Sequence, residues 1–238
     1  MKKTDEETAT GTTTNHLEHL PQIVIGLSGK KGCGKDTVAD HLVAEHGFTQ
    51  IALADALKES CTAIFGTPTV AELKADRGLY DQRFIVPITG KQKKGDDILL
   101  WTSLTTREIL QQFGTECCRN WMRDIWIAGA WTRIVRSGSD RIVISDVRFR
   151  NEVLFLQQLG IVSVWRVSRP GQRSKDGHAS ERNLSRFRGW DARIKNDGTI
   201  KRLCKRATRE LARAEKSITA ENAKLIKRIN TVRVEKGV

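Results

Sequence analysis

The stretch GLSGKKGCGKDTVADHL, from Gly26 to Leu42, constrains this chain more than any other. Before it, Ile23 to Leu27 is a short β-branched run of buried-strand character. After it, Val38, Ala39, Leu42 and Val43 fall at helical spacing, and Gly47 stands where a helix ends. A strand that turns through glycines into a helix start is an anion site in waiting. The glycines let main-chain N–H groups turn inward, and the helix presents its positive end. Gly29-x4-Gly34-Lys35 has the spacing of a phosphate-binding loop, with Lys35 placed to neutralise outer phosphates. Asp36 occupies the place where the common pattern has Ser or Thr, and Thr37 supplies the hydroxyl one residue later. The competing reading is a glycine-rich turn with no ligand.

With 238 residues, the chain accommodates one sizeable α/β domain with an insertion, or two small ones. Its net charge of +13 calls for an anionic partner: nucleotides, nucleic acid or an acidic surface. Cys33, Cys61, Cys117, Cys118 and Cys204 are odd in number and lack zinc or CxxC spacing, which fits free thiols in a reducing compartment. Cys117 and Cys118 read as helix packing. Residues 1–20 are polar, with no apolar segment of signal-peptide type, and no run is long enough to span a bilayer. The expectation is a soluble, cytoplasmic protein with a flexible N-terminal arm over 1–20.

Along the chain, strands are expected at Phe48–Leu53, Arg141–Asp146, Ile161–Val167 and, more briefly, Asp191–Lys195. Between them fall a helix that Asp55 caps and Gly66 ends, and a helix opened by the capping box Thr105-x-x-Glu108. Leu104 and Ile109 sit at the positions of a hydrophobic staple. The second helix is expected to reach Phe113 and break at Gly114, with Thr115 capping another that buries Trp121, Trp126 and Trp131. A helix over Asn151–Leu159 follows. Residues 67–100 look irregular, with Lys91–Asp97 an exposed loop, and Asn196-Asp197-Gly198 turns the chain into a basic C-terminal helix. The alternation of strands and helices predicts a three-layer α/β/α fold around a mostly parallel five-stranded sheet. Ligands of such sheets sit at the carboxyl ends of strands, which places Gly29–Lys35 and Asp146 in one crevice.

The loop from Gly29 to Thr37 resembles that of the bacteriophage deoxynucleoside monophosphate kinases. So, in the same order, do Leu57-Lys58, Arg107 with Gln111–Thr115, Ser145–Arg148 with Glu152, Arg169–Gln172, His178–Glu181 and Asn196–Thr199. The resemblance covers roughly residues 22–212. It implies a P-loop kinase fold with a helical monophosphate-binding insertion and an Arg-rich lid. The implied activity is Mg²⁺-dependent transfer of the γ-phosphoryl of ATP to deoxynucleoside 5′-monophosphates, a source of DNA precursors in a host cytoplasm if the chain is phage-encoded.

Carried over motif by motif, ATP is expected on Cys33, Gly34, Lys35, Asp36 and Thr37, with Arg169 from the lid. The monophosphate is expected on Lys31, Leu57, Lys58, Arg107, Gly114, Thr115, Trp126, Asp146, Arg148 and Glu152. Lys35, Arg107, Arg148 and Asp146 are the candidate catalytic residues; Thr37 and Asp146, directly or through water, are the candidate metal ligands. The implied organisation is a kinase domain over 21–215, with 67–100 as insertion and 169–189 as lid, then a basic helical tail over 216–238.

An acceptor that is already an anionic phosphate needs alignment and surrounding cations rather than a strong base. Each residue also has a plain structural reading: Arg107 a surface ion pair, Asp146 a turn residue, Glu152 an acid at a helix start, and the 169–189 arginines a solvated loop. A kinase for another small phosphorylated metabolite keeps the same fold. A nucleic-acid-binding ATPase would use the +13 charge, though the aromatics are not interleaved with Lys and Arg on a strand. Weak nucleic-acid contact through the basic tail (Lys201 to Lys236) and homodimerisation are left open as partners; no membrane is expected.

Overall fold

A computed structural model describes residues 21–91, 97–158, 162–171, 183–184 and 186–235. The N-terminal arm lies outside the described residues, as do 92–96 of the expected exposed loop and 172–182 and 185 of the expected lid.

Five parallel strands form the central sheet in the order β2-β5-β1-β6-β7: β1 (Ile23–Ser28), β2 (Thr49–Ile51), β5 (Arg141–Ile144), β6 (Val162–Ser168) and β7 (Ala192–Lys195). Period-two alternation divides the side chains between two apolar layers. Ile25, Leu27, Val143 and Trp165 pack with Val38 and Leu42 of α1 (Lys35–His46) and with Leu203, Leu211 and Ile218 of the C-terminal helix α8 (Ile200–Glu235). Val24, Ile142, Ile144 and Val164 face the other way, against Ala130 and Ile134 of α6 (Ile125–Ser137) and Val153 and Leu156 of α7 (Arg150–Gln158). The expected three-layer α/β/α arrangement and its mostly parallel five-stranded sheet are therefore observed.

Local signals hold where they are strongest. Gly47 and Gly66 close α1 and α2 (Asp55–Phe65) in left-handed conformations. The Thr105 capping box is complete: Thr105 Oγ1 accepts from the Glu108 N–H, and the Thr105 N–H donates to Glu108 Oε2 at 2.7 Å. Asp55, expected as a cap, instead lies inside the first turn of α2, where it pairs with Lys58 at 3.2 Å.

Larger departures fall between β2 and β5. Residues 67–100, expected to be irregular, contain α3 (Val70–Ala75), a 3₁₀ turn (Arg77–Asp81) and β3 (Arg83–Lys91), which pairs antiparallel with β4 (Asp97–Thr105) over nine residue pairs. Lys91 and Asp97 are thus paired strand ends rather than loop. Gly114 does not end a helix. Helix α4 (Thr106–Gln111) runs into a π-helical turn (Gln112–Cys118) and then α5 (Arg119–Trp121). The wide turn has a visible reason: the Trp126 indole N–H donates to the Gly114 carbonyl at 2.9 Å, capturing an acceptor from the helical ladder. A Cβ on Gly114 would stand 2.5 Å from Leu57 Cδ2, so only glycine lets this turn approach α2. Thr115 consequently sits within the π turn and caps nothing, and Trp121 closes α5 80% exposed, while Trp126 is buried on α6. Of the adjacent cysteines, Cys118 is buried and Cys117 exposed.

Candidate active site

At the carboxyl end of the sheet lies a cleft of about 780 Å³. One wall is the glycine loop between β1 and α1. Gly29, Gly32 and Gly34 all have positive φ. Gly34, at φ 99°, is the N-cap residue of α1, with no side chain to cap it. The Lys35 N–H meets the Cys33 thiol, and no side chain at the N-cap covers the N–H groups that follow, so the positive end of α1 faces the cleft. Lys35 is largely buried, and its Nζ pairs with Asp36 Oδ1 at 2.6 Å; Arg77 approaches the other Asp36 oxygen at 3.7 Å. Asp36 thus serves as counter-ion to the loop lysine. Cys33 is buried, and burial pushes its thiol pKa up, so its side chain is inert packing beneath the loop.

The opposite wall is assembled from distant elements. Leu57 and Lys58 come from α2, Arg107 from α4, Gly114 and Thr115 from the π turn, Trp126 from α6, Asp146 and Arg148 from the β5–α7 connection, and Glu152 from the first turn of α7. With Lys31, Lys35 and Asp36, these are the sequence-expected residues that the structure brings to one cleft. Cys33, Gly34 and Thr37 lie at the loop but do not line it. Arg169 is exposed just beyond β6 and is not part of the lining either.

Two carboxylates in the cleft have structural work. Asp146 accepts the Leu53 N–H at 2.7 Å on one oxygen and the Ala54 N–H at 2.9 Å on the other, which ties the β2–α2 turn to the end of β5. Glu152 is buried. Its Oε2 accepts the Arg148 and Phe149 N–H groups at 2.7 and 2.9 Å, and its Oε1 accepts Arg119 at 2.5 Å. Burial pushes the Glu152 pKa up, while Arg119 and then the two N–H donors pull it down. Arg119 also lies over the Phe149 ring, 3.9 Å from its centroid. Glu152 therefore orients Arg119 at the cleft wall.

Sequence reasoning missed Arg119, Arg77, Tyr80 and Phe149. Arg119 carries no local signal, since its partner Glu152 is 33 residues away. Tyr80 lies under Arg107, 5.3 Å from ring centroid to guanidinium carbon, and Asp81 is 3.7 Å from Arg107 Nε. Eight cations and three carboxylates line the cleft, a balance suited to polyanions. Among the described residues, no group of three His, Cys, Asp or Glu side chains could hold a metal ion. Magnesium keeps most of its waters and takes phosphate oxygens, so a nucleotide-bound ion needs no such protein cage.

Residues 88–207 match the deoxynucleotide monophosphate kinase family. A protein of Acanthamoeba polyphaga mimivirus, named for this family, is 33% identical over 190 residues, covering 75% of this chain and 90% of its own. The chain belongs to the deoxynucleotide monophosphate kinase family. The deoxynucleotide monophosphate kinase of Enterobacteria phage T4 is 24% identical over 230 residues, covering 76% of this chain and 95% of its own. Among solved structures, dephospho-CoA kinase from Campylobacter jejuni aligns over 81% of this chain and 97% of its own at 14% identity, with a TM-score of 0.41. Kinase membership makes ATP the phosphate donor and a nucleotide the substrate. No helix among the described residues is long and apolar enough to cross a membrane.

Proposed function

We propose that this protein transfers the γ-phosphoryl group of ATP to the 5′-phosphate of a deoxynucleoside monophosphate, yielding ADP and the deoxynucleoside diphosphate. The observation that carries this reading is that one cleft joins a glycine-loop anion cradle to a second set of cations on unrelated elements. Two anions must meet there, and neither wall alone has a use for the other.

In this reading the donor phosphates lie on the N–H groups of residues 34–37, the Cys33 N–H being given to the Lys30 carbonyl at 3.1 Å. Lys35 leaves Asp36 for the β,γ oxygens, and Asp36 keeps Arg77 as its neighbour. Arg169, which follows β6, is assigned to the donor side. Lys31, Lys58, Arg107 and Arg148 gather the acceptor phosphate and offset repulsion between two polyanions. Leu57, Gly114, Thr115 and Trp126 shape the nucleoside pocket, with Arg119 held toward it by Glu152. Magnesium, held by Thr37 and through water by Asp146, would supply charge neutralisation at the β and γ oxygens. The acceptor oxygen is already ionised, so no protein base is required.

The test is coupled ADP release with dTMP, dGMP, dCMP and dAMP offered separately. Stimulation by at least one is expected; no response to any of the four removes this reading. Turnover that instead rises with single-stranded DNA would identify a nucleic-acid-dependent ATPase. Lys35→Ala is expected to abolish the monophosphate-dependent turnover.

A further inference from the structure

Asn196 begins the turn from β7 into α8, far in sequence from the glycine loop. Its main-chain N–H donates to the Ser168 carbonyl at 2.7 Å, fixing the turn to the end of β6. Its side-chain Nδ2 donates to the Cys33 carbonyl at 3.0 Å. The same Nδ2 occupies the space above Gly34: a Cβ there would stand 2.6 Å from it, with Leu203 Cδ2 at 3.0 Å beside it. Asp197 steadies the turn by accepting Arg206 at 2.7 Å and pairing with Lys195 at 3.4 Å.

A loop that points N–H groups at an anion must point carbonyls away from it, and those carbonyls need donors. The Cys33–Gly34 peptide is the vulnerable one. Gly34, at φ 99°, has no side chain to restrain it, so this peptide could flip and turn its carbonyl toward the phosphate. We propose that Asn196 is a positioning residue: by holding the Cys33 carbonyl from outside, it locks the Cys33–Gly34 peptide with its N–H toward the donor triphosphate. The inference rests on the reading that this loop holds the donor. It makes the donor site depend on a residue of the last sheet turn.

The test compares Asn196→Ala with the isosteric Asn196→Asp, which keeps the shape but cannot donate. Equilibrium binding of ATP, KM for ATP, KM for the monophosphate and melting without nucleotide are measured for both and for the wild type. In both variants, ATP affinity and KM for ATP should worsen by about tenfold, the loss of one orienting hydrogen bond. The monophosphate KM should stay within about twofold. The defect of Asn196→Asp should persist between low and high salt, whereas simple charge repulsion would fade. An aspartate variant with wild-type ATP affinity, or a salt-erased defect confined to it, would overturn the proposal. So would an alanine variant that weakens both substrates equally. Wild-type protein that binds ATP while both variants match it removes only the role of Asn196; wild-type protein that retains no ATP removes the loop reading as well.

Discussion

The two walls of the cleft are built on different principles. In the proposed reading the donor wall is one contiguous stretch, Gly29 to Thr37, whose recognition groups are mostly main-chain N–H. The proposed acceptor wall collects side chains from α2, α4, the π turn, α6, the β5–α7 connection and α7. The first depends on backbone angles that only glycine adopts easily, and the second on packing that holds separate elements in register. A Cβ at a positive-φ glycine should therefore damage the donor wall through backbone strain, whereas the acceptor wall should fail through lost charges and disturbed packing, at Gly114 included.

Four measurements would break or sharpen that contrast. Gly34→Ala adds a Cβ at positive φ against Asn196. It should weaken ATP binding by about a hundredfold in titration, through left-handed strain plus overlap, while monophosphate binding is spared. Equal loss on both sides would erase the distinction. Arg119→Ala should lower stability by about 3 kcal/mol in denaturant melts, because it strands the buried Glu152 carboxylate. Adding Glu152→Gln should recover part of that stability without recovering monophosphate turnover; recovered turnover would deny Arg119 a place at the acceptor. Arg107→Ala keeps the fold, since its partners Tyr80 and Asp81 are local to the surface. It should raise the monophosphate KM by about tenfold and leave the KM for ATP unchanged.

The smallest effect concerns the helix that carries Arg107. The Glu108 carboxyl is held below its usual range, first by the Thr105 N–H and then by its hydroxyl. A depressed carboxylate pKa in the folded state stabilises fully above the unfolded value near ~4.3 and is lost as pH falls through the folded one. Thr105→Ala should accordingly lower the melting temperature at neutral pH and much less in acid. A pH-independent difference would assign the loss to the hydroxyl's other contacts.

How far the sequence could be read follows the same divide. Gly47, Gly66 and the Thr105 capping box were legible because each acts within a turn of its own chain. The strand–loop–helix unit was legible because glycine spacing and apolar periodicity agree there. The β3–β4 hairpin was not: its nine pairs are selected by cross-strand contact, and the loop signal at Lys91–Asp97 does not say that the segments on either side pair with each other. Gly114 was misread as a helix stop because glycine permits both a stop and a close approach. The deciding partners, Leu57 and the Trp126 indole, lie elsewhere in the chain.

By itself the sequence determined the sheet's alternation and the glycine loop with its lysine, both of which are set by neighbours a few residues apart. Only the tertiary structure decided which cations share the cleft, that Glu152 faces Arg119, that Asp146 clasps the β2–α2 turn, and that Asn196 meets the Cys33 carbonyl. Those contacts join residues from 33 to 163 positions apart, and close packing rather than local preference selects them.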